Sequence, residues 1–182
     1  MNSRHFLRLL APLMGLIPAL SQAALPSDFD KHVAAIRAVG PEGAGNEEAA
    51  AAFQQISGSD AEAVLPLLRA MESSGALSRN WLRSAIEVIV QRELKAGKSL
   101  PVDDLKAFLL DTKQSPEARR FAFDLVSKID PAAAEALVPG FLNDPSTELR
   151  RDAVALLITE GKSQIEKADN PSAITTFRKA LD

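Results

Sequence analysis

Two stretches decide the fold: SPEARRFAFDLV, Ser115–Val126, and STELRRDAVALL, Ser146–Leu157, which begin 31 positions apart. Each opens on a Ser able to accept the free N–H groups of a helical first turn, then places a Glu (Glu117, Glu148) where peptide dipoles favour negative charge. An Arg pair follows, Arg119–Arg120 and Arg150–Arg151. Ala122 with Leu125, and Ala153 with Leu156, then supply small and large residues for the buried side. A segment written twice with its cap, its charges and its apolar face is a structural unit used twice.

Fainter copies lie upstream. WLRSAIEVIV (81–90) aligns Arg83, Ala85, Glu87 and Val88 with Arg120, Ala122, Asp124 and Leu125. AFQQIS (52–57) echoes AFDLVS (122–127), and each is followed three residues on by an Asp, Asp60 and Asp130. Apolar residues recur at spacings of three and four almost everywhere, and no strand-like alternation persists. Helices are expected in pairs, 46–57 with 60–72, 79–95 with 102–110, and 116–128 with 131–142, before a long helix at 147–168 and a last one from Pro171. The breaks between them carry Gly, Pro, Ser, Asp and Asn, residues that end one helix and cap the next. A short amphipathic helix with Ser27 as cap, its Phe29, Val33, Ala35 and Ile36 on one face, precedes the break GPEGAGN (40–46). Helix pairs recurring every 31 to 37 residues predict an all-α fold, an α-solenoid of stacked antiparallel pairs, each burying its apolar face on its neighbours.

LNDPSTELRRDAVALL (142–157), with its Asp-Pro turn, its Arg and its Ala/Leu core, resembles the first helix of a HEAT repeat. VLPLL (64–68) and ALVPGFL (136–142) resemble the second helix, which often carries a Pro. The resemblance covers residues 46–158. In the stretch 159–182, Gly161, Ala173, Phe177 and Ala180 match the small–aromatic–small spacing of a tetratricopeptide repeat, with Glu160 departing from the large residue expected before the Gly. The whole is similar to N-terminal regions of secreted bacterial HEAT-repeat proteins. That resemblance implies further extracellular domains in such chains and no activity of its own.

The head of the chain reads as an export signal. Arg4, His5 and Arg8 precede the apolar run Leu9–Leu20, and SQA ends at Ala23. The expectation is cleavage after Ala23, with 24–45 as a flanking helix and linker, and general secretion to the periplasm or the outside. The apolar run is too short and too Pro-broken to span a bilayer, so no membrane span is expected once it is removed. With no Cys, neither a disulfide framework nor a lipid-bearing thiol is available. Loss of residues 1–23 removes two Arg and leaves 19 Lys+Arg against 24 Asp+Glu. A mildly acidic chain without a basic run lacks the footprint of a nucleic-acid binder.

Catalytic chemistry is poorly supplied. The mature chain holds one His, His32, and no Cys, which excludes Cys/His zinc sites and Cys–His nucleophiles. No Gly-x-Ser-x-Gly turn and no phosphate-binding Gly loop occurs. Carboxylates at Glu47–Glu48, Asp103–Asp104, Glu117 and Glu148 could serve acid/base work, but each sits at an expected helix start where it needs no function. No catalytic, cofactor-binding or metal-ligating residue is assigned. Two readings of the Arg pairs stand. Arg119, Arg120, Arg150 and Arg151 could form a basic ladder for an anionic partner, or one Arg of each pair could bond a neighbouring carboxylate or helix end while the other stays solvated. The second needs no ligand and is the simpler. Trp81 offers a stacking platform for a sugar or peptide, or a core residue beside Leu82, Ile86 and Ile89. The function read from the sequence is a scaffold or interaction module, without catalysis, for a protein partner or a further domain of the same chain, with a glycan as another possible ligand. The alternative is a spacer supporting another domain, and an enzyme stands third.

Overall fold

The structure, a computed structural model, describes Leu25 and residues 27–181. The expected leader and the expected cleavage point after Ala23 lie outside the described residues. Among those described, nine α-helices and three short 3₁₀ turns account for the regular structure, and no strand occurs. The all-α class follows.

The first helix, α1 (Phe29–Arg37), buries Phe29, Val33 and Ile36. Its cap differs from expectation. Asp28 precedes the first turn and takes the His32 N–H on its carbonyl, 3.0 Å, and neither it nor Ser27 caps with a side chain. The chain then turns sharply through a 3₁₀ turn, Pro41–Gly43, and reaches α2 (Asn46–Ser57). Gly45 has φ 75°, and a Cβ there would stand 3.2 Å from the Ala38 carbonyl oxygen. Only Gly fits where α2 folds back onto α1.

A 3₁₀ turn, Ala61–Ala63, leads into α3 (Val64–Met71), which buries Val64, Leu67, Leu68 and Met71. Helix α4 runs Ala76–Lys95, three residues earlier than predicted. Ser78, expected in the break, lies inside this helix and donates its hydroxyl to the Arg37 carbonyl, 3.3 Å. Helices α5 (Val102–Leu110) and α6 (Pro116–Ile129) fall where the breaks place them. Helix α7 (Pro131–Leu137) stops short of the predicted 142 and continues as a 3₁₀ turn, Val138–Phe141. Pro139, having no N–H, cannot extend the helical ladder. Helix α8 (Thr147–Glu166) and α9 (Asn170–Leu181) complete the series. Both opening Ser residues cap as read: Ser115 Oγ accepts from Ala118 N at 3.2 Å, and Ser146 Oγ from Leu149 N at 3.5 Å.

The pairing is not the predicted one. Helix α1 lies on α2, α3 on α4, α5 on α6, and α8 on the 3₁₀ turn after α7 and on α9. Neither α2 with α3 nor α4 with α5 is among the closely packed pairs; α6 with α7, and the last two helices, α8 with α9, keep the expected partnership. Side by side lie α2 and α4, α6 and α8, and α3 and α5. One continuous core runs from Phe29 to Ala153.

Burial corrects two equivalences. Ala85, Ala122 and Ala153 are all buried, as their matched positions require. Leu125 is buried too, but its counterparts Val88 and Leu156 are exposed. Helix α6 packs closely on α3, α5, α7 and α8, whereas the close neighbours of α8 are α6, the turn before it and α9. The side that is inner in α6 is therefore outer in α8.

Candidate interaction surface

The two Arg pairs, alike in sequence, do unlike things. Arg119 is 1% exposed. Its Nη1 and Nη2 donate to the two carboxylate oxygens of Asp144, at 2.9 and 2.5 Å, and its Nε donates to the Leu109 carbonyl at 2.7 Å. One guanidinium thus ties α6 to the end of α5 and to the turn before α8. A planar fork suits this arrangement, which a point charge could not satisfy. Burial alone would raise the Asp144 pKa, but Arg119 and the Ser146 N–H, at 2.7 Å, together hold it below the usual carboxylate range. Arg119 has no donor facing solvent, so it cannot be a rung of a basic ladder. Arg150, its counterpart, is exposed and makes one bond, to the Asp144 carbonyl at 2.9 Å.

A different ladder exists, of alternating sign. Arg83 pairs with Glu87 on its own helix at 3.1 Å and with Asp124 of α6 at 3.6 Å. Arg120 pairs with Asp124 at 3.1 Å and reaches Asp152 of α8. The run ends on Arg151, 4.0 Å from Asp152 and 72% exposed. Arg83 also lies over the Phe121 ring, 4.4 Å from its centre, and Arg120 over Phe123 at 5.2 Å. Arg83 and Arg120 therefore each join their own helix to another, α4 to α6 and α6 to α8.

Buried charge recurs once more at Glu93, 2% exposed at the end of α4. Lys98 at 3.0 Å is the main cause of its lowered pKa, and Arg92 at 2.9 Å adds to it, together outweighing burial. Arg92 also donates to the Ser57 carbonyl at 2.6 Å and to that of Ser59, closing the end of α2. None of Glu93, Arg92, Asp144, Asp124 or Asp152 was singled out from the sequence as a functional or stabilising residue. The i,i+4 pairs Arg83–Glu87 and Arg120–Asp124 were the only local signal present.

Trp81 is half-buried and meets the Phe53 ring edge-on, with centroids 5.6 Å apart. With Leu77, Asn80 and Ser84 these rings line an open, mainly apolar groove of about 460 Å³ between α2 and α4. It is neither the core position nor the fully presented platform that the sequence allowed, but half of each. The carboxylates picked out from the sequence are all exposed. Glu117 and Glu148 line an open groove of about 200 Å³ between the starts of α6 and α8, and Asp104 shares another, of about 350 Å³, with Glu62. Asp103 pairs with Lys106 at 3.0 Å, and Glu47 and Glu48 are exposed. His32 is half-buried on α1. Among the described residues no group of His, Cys, Asp or Glu is set to hold a metal ion, and no helix is long and apolar enough to cross a membrane.

The fold and these contacts define an all-α protein in which Arg83, Arg119 and Arg120 tie one helix to another or to the turn before it. Comparison with protein-family models, with curated proteins and with solved structures found no match to this chain.

Proposed function

We propose that the mature chain is a secreted or periplasmic helical-repeat module, a solenoid of HEAT-like pairs ending in the tetratricopeptide-like pair α8–α9, which presents its surface to a protein partner and carries out no reaction. The repeat reading is supported by Arg83 and Arg120, which stand at matching positions and each pair with a carboxylate of another helix, α4 to α6 and α6 to α8. The tetratricopeptide reading is supported by Gly161, where an added Cβ would stand 2.6 Å from the Phe177 ring, and by buried Ala173. The observation that carries the interaction role is the open groove at Phe53, Leu77 and Trp81. A half-exposed aromatic pair beside a Leu that is 51% exposed suits a docking side chain.

Two experiments test this reading. Intact mass of the exported protein is expected to place its first residue at Ala24, and retention of Met1 refutes export by cleavage. A photo-crosslinking residue at Leu77, used in the producing cell, is expected to give one discrete protein adduct that disappears with Trp81→Ala. Absence of an adduct at Leu77 favours the spacer role.

A further inference from the structure

The groove beside Trp81 restricts what can dock in it, first by charge. Its lining, Phe53, Leu77, Asn80, Trp81 and Ser84, holds no charged residue. The charges that neighbour it along α4 are engaged elsewhere: Arg79 donates to the Ser74 carbonyl at 2.7 Å, and Arg83 is paired with Glu87 at 3.1 Å. On α2 the acids Glu47 and Glu48 stand in the first turn, more than one helical turn before Phe53. A charged side chain entering here gives up its water and meets no free counter-charge, so the groove selects an uncharged occupant.

The second restriction is one of length. Leu77 and Trp81 are one turn apart on α4, Phe53 meets Trp81 from α2, and Ser84 ends the apolar run. Val88, the next exposed apolar residue on that side of α4, does not line the groove. An amphipathic helix docks through anchors at i, i+3 or i+4, and i+7, spread over about 10 Å, a span this lining does not cover. The polar members suit another conformation. Asn80 and Ser84 are exposed and, among the described residues, make no side-chain hydrogen bond within the protein, whereas Gln114 and Gln164 are each bonded to a nearby carboxylate. A carboxamide carries a donor and an acceptor side by side, the complement of a peptide group whose C=O and N–H are free. Those groups are free in an extended segment and already bonded inside a helix. We infer that the groove binds an extended, uncharged segment of a partner protein. One apolar side chain of that segment seats against Phe53, Leu77 and Trp81, and the adjoining peptide groups bond to Asn80 and Ser84. The inference rests on the reading of this groove as the partner site, and adds the conformation and charge of what docks there.

The test takes its probes from a phage-displayed library of random dodecapeptides, selected on the immobilised full mature chain, with the best of them synthesised and measured by fluorescence anisotropy. Selected peptides are expected to share one aliphatic or aromatic residue flanked by uncharged residues, without apolar recurrence at three and four. Their affinity is expected to change less than about twofold between low and high salt. Leu77→Glu, in the first turn of α4 where a carboxylate favours the helix, is expected to weaken binding at least about tenfold with an unchanged far-UV circular dichroism spectrum. Asn80→Ala with Ser84→Ala is expected to cost about tenfold. N-methylation of the peptide groups beside the anchor, one at a time, is expected to find one that weakens binding to wild type about tenfold and to the double variant hardly at all. Selected peptides that are charged or carry helical spacing overturn the inference, as does binding indifferent to the double variant. So does a selection that recovers nothing dependent on Leu77. A protein adduct at Leu77 in the producing cell alongside any of these results leaves the proposed function standing and removes only the extended, uncharged partner, whereas loss of the adduct removes the groove as the partner site.

Discussion

Replacing Arg119 with Ala removes two bonds to the Asp144 carboxylate and one to the Leu109 carbonyl, all from a side chain 1% exposed. The larger part of the cost lies in what remains. Asp144, itself buried, keeps its charge without its counter-charge, and the Leu109 carbonyl loses its side-chain donor at the end of α5. Breaking a buried pair from one side costs about 3–5 kcal/mol, a large share of the roughly 5–15 kcal/mol that holds a domain of this kind together. Arg150→Ala, by contrast, deletes a single bond from an exposed side chain and is expected to cost about 1 kcal/mol or less. Urea unfolding followed by far-UV circular dichroism reads both variants as shifts of the midpoint at constant slope. Adding Asp144→Asn to Arg119→Met removes the orphaned charge and is expected to recover part of the loss, a coupling that a double-mutant cycle measures directly. Equal costs for Arg119→Ala and Arg150→Ala, or a cost for Arg119→Ala below about 1 kcal/mol, would refute the reasoning.

Three further outcomes follow from the packing and the buried carboxylates. Ala122→Leu and Ala153→Leu each force a large side chain into a closed seam between helices and should cost about 1–3 kcal/mol; unchanged urea midpoints would mean the seam is not where these residues place it. Gly161→Ala gains helix propensity of about 1 kcal/mol but drives a methyl into the Phe177 ring, so it should destabilise on balance, and Phe177→Leu in the same chain should relieve it. The folded-state pKa values of Glu93 and Asp144 lie below their unfolded values, so the stability they add is present above the ordinary carboxylate range and is lost as pH falls through the folded-state values. Glu93→Gln should therefore lower stability at neutral pH and flatten its acid dependence; an unaltered pH profile would rule the pair out as a source of it.

Much of the local structure was legible in the residues. Ser115 and Ser146 cap as read, the breaks at Gly58, Gly97 and Pro145 separate helices, and Phe29, Val33 and Ile36 face inward together. Caps, turns and helical faces depend on residues within about one turn of each other, so their physics is contained in a short window of chain. The early start of α4 was missed because Ser78 looks like a cap locally. Its hydroxyl is used instead on the Arg37 carbonyl, 41 positions away.

What the sequence by itself determined is the helical series, most of its breaks and the Ser caps of the two similar stretches. Only the tertiary structure decided what the repeated residues do. Arg119 and Arg150 occupy the same place in the two similar stretches. The first is buried because α5 and the turn at Asp144 close over it, and the second is exposed because α8 has a neighbour on fewer sides. Leu125 and Leu156 part in the same way. The partners that Arg119 finds, Leu109 and Asp144, lie 10 and 25 positions away along the chain, beyond the reach of any local pattern. An amphipathic period says which side of a helix is apolar. Whether that side is covered depends on which other helices pack against it, and that is a property of the assembled molecule.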